Sequence, residues 1–240
     1  MSALIRRGNN EYNFFKKFYF PIHTLSLFLT CIILYYSVED NVNDYTLHIP
    51  VSSKSFQENK WYSYITCLLF HVNAYHLWNN MSVLLLLGTI FEFVHGPIPS
   101  FIVFWIAGVT GIMTEAVWTK TPYRLLGASS GVYALATAYL AHLIMNWKET
   151  PLRIYWFIAF IASVIVTVIF SYTNTEEDYS VADLAHLGGA IQGLFVGCLA
   201  VRNIHTTLLE IQWSIVCFCV AVGFILSLWY RVMLVLFYLV

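Results

Sequence analysis

Apolar residues fill most of the chain in long blocks that are separated by short polar connections. Each block is 17 to 21 residues long, which is enough for a helix to cross the roughly 30 Å hydrocarbon core of a bilayer. Turn-forming dipeptides such as Gly96-Pro97 and Thr150-Pro151 stand in the connections. The pattern therefore predicts an all-α membrane protein with seven spans, at 21–37, 76–94, 100–118, 125–145, 154–172, 181–201 and 211–229.

The segments between the spans are uneven in length and charge. Residues 1–20 are polar and basic, and we interpret them as a short arm in the cytosol. Residues 38–75 form a long outer loop, whose second half, 61–70, is an apolar and aromatic run of ten residues. That run is too short to span, and it predicts an interfacial or partly re-entrant segment. With the N-terminus inside, seven of the 12 Lys and Arg residues lie in the cytosol and five outside, as the positive-inside rule favours.

Composition restricts the classes of function. Hydrophobic residues make up 59% of the chain and charged residues only 10%, against about 25% charged in soluble domains. A net charge of −1 gives no reason to expect a nucleic-acid partner. The five cysteines show no CxxC spacing, so we expect buried thiols and neither a metal site nor a disulfide framework. The basic start has no apolar core, so no signal peptide is expected, and the secretory pathway or cell surface is favoured.

Polar side chains inside three of the spans mark a possible functional site. His76 and Asn80 lie four residues apart near the start of the second span, Ser129 near the start of the fourth and His186 near the start of the sixth. These three spans run in the same direction, so their early residues share a level roughly 7–10 Å below the outer surface. A polar side chain at such a depth is by default a functional-site hypothesis.

The chemistry that this layer offers is acyl transfer. A neutral imidazole can take the proton of a serine hydroxyl near pH 7, and Asn80, His76 and the Ser129 backbone N–H can donate to an oxyanion. Taken singly, Ser129 could serve helix packing and His186 could be a structural hydrogen-bond donor. A channel or transporter lined by the same residues is a further alternative, although the inner halves of these spans are mostly apolar.

These motifs resemble those of the rhomboid intramembrane serine proteases. The resemblance is carried by Gly-Ala-Ser-Ser-Gly-Val-Tyr-Ala-Leu at 127–135, by Ala-His-Leu-Gly-Gly at 185–189, and by His71, His76 and Asn80. It covers about residues 21–201, and it implies a six-helix catalytic core there. Residues 202–240 would add a seventh span and a tail, similar to the 6+1 arrangement common among eukaryotic members.

The resemblance also implies roles for individual residues. Ser129 and His186 would form a catalytic dyad, with an oxyanion hole built from Asn80, His76 and the Ser129 backbone. Supporting positions would be taken by Tyr133, His71, Gly127 and Gly189, and no metal or cofactor would be required. One departure is Ser130, where the family usually has glycine. Its Cβ could crowd the oxyanion hole, and its hydroxyl is an alternative nucleophile.

The function that follows is an intramembrane serine endopeptidase that cleaves transmembrane segments of other membrane proteins near their outer ends. Its partners would be single-span or other transmembrane substrates within the lipid bilayer. The alternative is a catalytically weak or inactive rhomboid-like protein that binds membrane clients for trafficking or degradation. Family members of that kind typically lack the nucleophile or the base, whereas Ser129 and His186 are both present here.

Overall fold

The computed structural model describes residues 18–38, 60–119, 125–173, 183–203 and 208–238. Most of the predicted arm (1–17) and the first half of the outer loop (39–59) lie outside them. Helices dominate the described ranges, and α2 and α3 each include one wider π-helical turn. The apolar helices are α1 (Ile22–Val38), α2 (Ala74–His95), α3 (Pro97–Trp118), α4 (Ser129–Met145), α5 (Arg153–Thr173), α6 (Asp183–Ala200) and α7 (Leu208–Tyr238).

The helices are those of an integral membrane protein. Within the described residues, α2, α3, α6 and most of α7 are long and apolar enough to cross a membrane, which makes four such helices. The apolar stretches assigned to α1, α4 and α5 are shorter. The predicted all-α membrane fold is therefore confirmed, while the count of seven spans remains a prediction.

The apolar run before α2 does not form a spanning helix. It folds into one short helical turn, Ser63–Thr66, followed by a 3₁₀ turn, Cys67–Leu69. Cys67 and Leu68 are fully buried, whereas Trp61 is exposed. This segment reaches the core beside α4, and it helps to place the residues that lead into that helix.

Small residues let α6 lie directly against α4. A Cβ added to Gly193 would lie 2.5 Å from Cα of Ala134, and one added to Gly197 would lie 2.7 Å from Cα of Ala138. The two backbones are therefore in contact, as small-residue stripes permit in membrane bundles. Helix α6 also packs against α3 and α7, while α5 packs against α4. The α4–α6 contact sets the separation of the polar residues at the beginnings of these two helices.

A buried carboxylate joins α2 to the beginning of α1. Glu92 is fully buried and accepts hydrogen bonds from the backbone N–H groups of His23 and Thr24, each at 2.8 Å. The Thr24 hydroxyl donates to the same side chain at 2.8 Å. The first N–H groups of a helix have no partner within it, and a negative charge there is favourable. Glu92 therefore fixes the start of α1 against α2.

The Glu92→Ala variant tests this contact. We expect it to lose about 2–4 kcal/mol of stability, because it leaves buried donors without an acceptor. For a chain of this size that loss corresponds to a melting temperature lower by about 5–15 °C, measurable by thermal unfolding in detergent. Ser26→Ala, on the exposed side of α1, is the control and should unfold like the wild type. An unchanged melting temperature for Glu92→Ala would contradict the account.

Candidate active site

Ser129 and His186 lie in hydrogen-bond contact where α4 and α6 begin. The Ser129 Oγ and His186 Nε2 atoms are 2.8 Å apart. Ser129 is the first residue of α4 and His186 the fourth of α6. Both side chains are half-buried. The structure thus brings together the two residues that the sequence selected as nucleophile and base, at the distance that a proton transfer requires.

The predicted start of the fourth span is wrong by four residues. The helix begins at Ser129 and not at Leu125, because Gly127 has a φ of +128° and turns the chain just before the helix. Residues with a Cβ rarely adopt this conformation. The Gly127 N–H donates to the carbonyl of Cys67 at 2.9 Å. The serine therefore stands at the exact point where a buried loop enters a helix.

The ring of Tyr133 covers one face of the His186 imidazole. The two rings are stacked with centroids 4.5 Å apart and planes inclined by 14°. Tyr133 lies one turn after Ser129 on α4, so one helix supplies both the hydroxyl and the surface that orients the imidazole. The stacking restricts rotation of the ring out of the plane that directs Nε2 at Ser129.

His76 and Asn80 come from α2 and face the turn that precedes Ser129. A Cβ added to Gly127 would lie 2.6 Å from Cε1 of His76 and 3.5 Å from Nδ2 of Asn80. Asn80 is buried, and its Nδ2 has no hydrogen-bond partner among the described residues. A buried amide donor without a partner is costly unless something else uses it. Here it lies next to the backbone that leads to the serine.

His71 supports the same turn from the loop before α2. It is buried, and its ring meets the His76 ring edge-on with centroids 5.3 Å apart. The Ala128 N–H donates to His71 Nε2 at 3.5 Å, a long contact. Asn73 caps α2 by accepting the His76 N–H at 2.8 Å. The loop before α2 and the start of α2 together hold the side chains of His76 and Asn80 beside Gly127.

Ser130 has a different environment from Ser129. Its side chain is fully buried, and its Oγ lies 2.9 Å from the carbonyl oxygen of Gly108 and 3.0 Å from that of Ala185. A Cβ added to Gly189 would lie 2.4 Å from the Ser130 carbonyl oxygen. The Ser130 hydroxyl thus occupies the junction of α3, α4 and α6, and the imidazole contacts Ser129 instead.

The sequence analysis missed two buried glutamates. Glu92 fixes the start of α1, and Glu115 of α3 accepts the N–H of Ala185, directly before His186, at 3.0 Å. A signal was available, since both carboxylates lie inside apolar spans and meet the criterion that selected Asn80. Among the residues that the structure describes, no cluster of three or more His, Cys, Asp or Glu side chains could hold a metal ion.

These features define a helical membrane protein in which a serine hydroxyl, an imidazole and amide donors meet at the same end of three helices. The family model for the Rhomboid domain matches residues 58–203, which is more than half of the chain. The protein therefore belongs to the rhomboid family, as the resemblance of its motifs predicted.

Relatives in several organisms agree with this assignment. The chain is 35% identical over 150 residues to "Rhomboid-related protein 1" of Caenorhabditis elegans, covering 57% of this chain and 39% of that protein. It is 29% identical over 148 residues to human "Rhomboid-related protein 3", covering 58% and 36%. It is 28% identical over 138 residues to "Rhomboid protease GluP" of Bacillus subtilis, covering 58% and 26%. The matched region thus spans well under half the length of these relatives.

Proposed function

We propose that this protein is an intramembrane serine endopeptidase that cleaves transmembrane segments of other membrane proteins near their outer ends. The observation that carries the proposal is the 2.8 Å contact between Ser129 Oγ and His186 Nε2. Membership of a family that includes proteases supports the reaction class. The apolar surroundings of the site support a substrate that lies within the bilayer.

The proposed reaction proceeds through an acyl-enzyme. His186 Nε2 takes the hydroxyl proton as Ser129 Oγ attacks the carbonyl carbon of the scissile peptide. The imidazolium then gives this proton to the departing amine, and the carbonyl remains as an ester on Ser129. A water molecule, deprotonated by the same imidazole, hydrolyses the ester and releases the second product. Tyr133 keeps the imidazole plane constant through both halves of the cycle.

The oxyanion that forms in each half requires donors. We assign them to Asn80 Nδ2, the His76 ring and the Ser129 backbone N–H. The missing partner of Asn80 Nδ2 supports the assignment, because a donor placed for a transient negative charge stays free in the resting enzyme. Such preorganised donors act most strongly where water is excluded.

Replacement of Asn80 by alanine tests the oxyanion hole. We expect kcat to fall by about 10²–10³-fold, as when one oxyanion donor is removed from other serine proteases, with KM changed by less than about threefold. The measurement is steady-state cleavage of a single-span reporter in detergent. Ser82→Ala, which changes an exposed position of the same helix, is the control. A kcat for Asn80→Ala within twofold of wild type would show that Asn80 does not donate to the oxyanion.

The site also restricts the substrate. A spanning helix engages its carbonyls in i→i−4 hydrogen bonds, so the segment must unwind locally before Ser129 can attack. Small or helix-breaking residues near the cleaved bond lower that cost, since glycine and proline disfavour helix by about 1 and 3 kcal/mol. We therefore propose that substrates carry such residues close to the outer surface of the membrane. We also propose that the N-terminus of this protein lies in the cytosol, which places the site near the outer surface.

The function is tested with purified protein and a single-span reporter reconstituted in lipid vesicles. The account predicts two products, with the cut mapped by mass spectrometry to the outer third of the reporter's transmembrane segment. Binding of the reporter without cleavage, and without labelling by a serine-reactive fluorophosphonate, would reject the protease and favour the client-binding alternative.

A further inference from the structure

We propose that Glu115 is a positioning residue that, together with Ser130, holds the Ala185 peptide and so fixes the location of the His186 imidazole. The inference rests on the proposed function, because it assigns a role in the reaction of the Ser129–His186 pair. Neither residue contacts Ser129 Oγ or His186 Nε2 in the hydrogen bonds described above. Their action is through the backbone that carries the base.

Glu115 holds the N–H side of this segment. Its Oε2 accepts the Ala185 N–H at 3.0 Å, in the first turn of α6, where N–H groups have no partner within the helix. The Thr119 hydroxyl donates to Oε1 of the same carboxylate, and Glu115 is only 8% exposed. The side chain thus accepts one hydrogen bond from the backbone of α6 and one from the residue that follows α3.

Ser130 holds the carbonyl side of the same residue. Its Oγ is fully buried and lies 3.0 Å from the Ala185 carbonyl oxygen and 2.9 Å from that of Gly108, so the two carbonyls share its one proton. The carbonyl of Ala185 belongs to the peptide bond that leads directly into His186. Ala185 is therefore held from α3 through its N–H and from α4 through its C=O, immediately before the base.

Close packing leaves these contacts little room to move. A Cβ added to Gly111 would lie 2.1 Å from Ser130 Oγ, 2.4 Å from the Ala185 carbonyl oxygen and 2.6 Å from the Gly189 nitrogen. The backbones of α3 and α6 thus meet at the place where the Ser130 hydroxyl lies. Because Gly111 adds no side chain at this contact, the two backbones lie close together, and a shift of Ala185 would lengthen its hydrogen bonds to Glu115 and Ser130.

The position of the base depends on this arrangement. The first residue of α6, Asp183, is exposed, whereas Glu115 is buried and accepts the backbone N–H one residue before His186. Displacement of a catalytic group by about 1 Å can cost roughly 10²-fold in rate. We therefore expect loss of the Glu115 contact to slow the chemical step, with little effect on the binding of substrate.

The experiment compares Glu115→Ala, Glu115→Gln and Ser130→Ala in the purified full chain. For each variant, kcat and KM are measured with the single-span reporter, and the rate of labelling by the fluorophosphonate is measured separately. Gel filtration gives the concentration of folded protein, and kcat and the labelling rate are expressed per folded molecule. We expect Glu115→Ala to lower kcat and the labelling rate by about 10–100-fold, with KM within twofold. Glu115→Gln should stay within about fivefold of wild type, because its amide oxygen still accepts the Ala185 N–H.

Glu92→Ala is the matched control, since it removes a buried carboxylate that holds the start of a different helix. It should lower the melting temperature while kcat per folded molecule stays within twofold of wild type. Because Glu115 and Ser130 hold the same residue, the losses in the double variant Glu115→Ala/Ser130→Ala should not be additive in free energy. A role in stability alone would instead make Glu115→Ala behave like Glu92→Ala.

Each outcome is decisive. A kcat for folded Glu115→Ala equal to that of an active wild type would overturn the positioning role and leave the proposed protease intact. If Glu115→Ala fails to fold, the Ser130→Ala variant provides the test. A kcat and a labelling rate equal to those of the wild type in Ser130→Ala would overturn the proposal. A wild type that neither cleaves nor labels would overturn both this inference and the proposed function.

Discussion

Replacement of Ser129 by alanine is expected to lower cleavage of the single-span reporter by roughly 10⁴–10⁶-fold, as loss of the nucleophile does in serine proteases. The reason is that, within the part of the chain that the structure describes, Ser129 carries the hydroxyl that lies in hydrogen-bond contact with His186 Nε2, at 2.8 Å. No other hydroxyl there is placed to give its proton to this imidazole. Cleavage of the reporter is followed over hours by gel electrophoresis, so that a cleavage rate several orders of magnitude below that of the wild type can still be measured. KM is not accessible in this variant, but reporter binding should persist in a pull-down from detergent.

Ser130→Ala is the matched control for this prediction. It removes a neighbouring hydroxyl that is buried between the carbonyls of Gly108 and Ala185. We expect a loss of about 3–10-fold, from reduced positioning of His186 and not from loss of a nucleophile. Cleavage that survives in Ser129→Ala and disappears in Ser130→Ala would exchange the two roles and contradict the account.

Replacement of His186 by alanine should have an effect of similar size, about 10³–10⁶-fold in kcat. Without the imidazole the Ser129 hydroxyl has no base, and a serine is a poor nucleophile in its protonated form. The two residues act as a unit, so the double variant Ser129→Ala/His186→Ala should be no slower than either single variant. The measurement is again reporter cleavage, with the labelling rate as an independent readout.

His142→Ala provides the comparison for His186→Ala. It removes a buried histidine from the other end of α4, where the ring contacts His95 with centroids 4.8 Å apart. We expect kcat per folded molecule to stay within about threefold of wild type. If both histidine variants lost activity equally while remaining folded, the assignment of His186 as the base would fail.

The sequence predicted the helices best where apolar runs end in strong turn signals. The second and third spans, placed at 76–94 and 100–118, are observed at Ala74–His95 and Pro97–Trp118. Gly96-Pro97 separates them because glycine tolerates a φ of +96° there and proline is suited to the first turn of a helix. Such local signals are visible in a single sequence.

The first residue of α4 could not be predicted from local sequence signals of this kind. Leu125 is apolar and buried, yet it belongs to a loop that is hydrogen-bonded to Cys67 through the Gly127 N–H. Hydropathy reports burial and does not distinguish a buried loop from a helix. The left-handed turn at Gly127 depends on contacts with residues more than forty positions earlier, so its conformation follows from tertiary packing.

The site was only partly accessible to sequence reasoning, for a related reason. Asn80, Ser129 and His186 could be grouped because helices of one direction place their early residues at one level. Glu115 and Ser130 act on backbone groups of Ala185, and hydrogen bonds from a side chain to the backbone of another helix leave no spacing pattern. The sequence likewise could not show that the Ser130 hydroxyl contacts carbonyls of α3 and α6, and crowding of the oxyanion hole by its Cβ stays a prediction.

The most direct test of the central claim is to identify the residue that becomes covalently modified. Purified protein is treated with a fluorophosphonate, and the adduct is located by peptide mass spectrometry in the wild type and in the Ser129→Ala, Ser130→Ala and His186→Ala variants. The account predicts one adduct on Ser129, retained in Ser130→Ala, absent from Ser129→Ala and formed at least about 10³-fold more slowly in His186→Ala. An adduct on Ser130, or reporter cleavage that persists in Ser129→Ala, would contradict it.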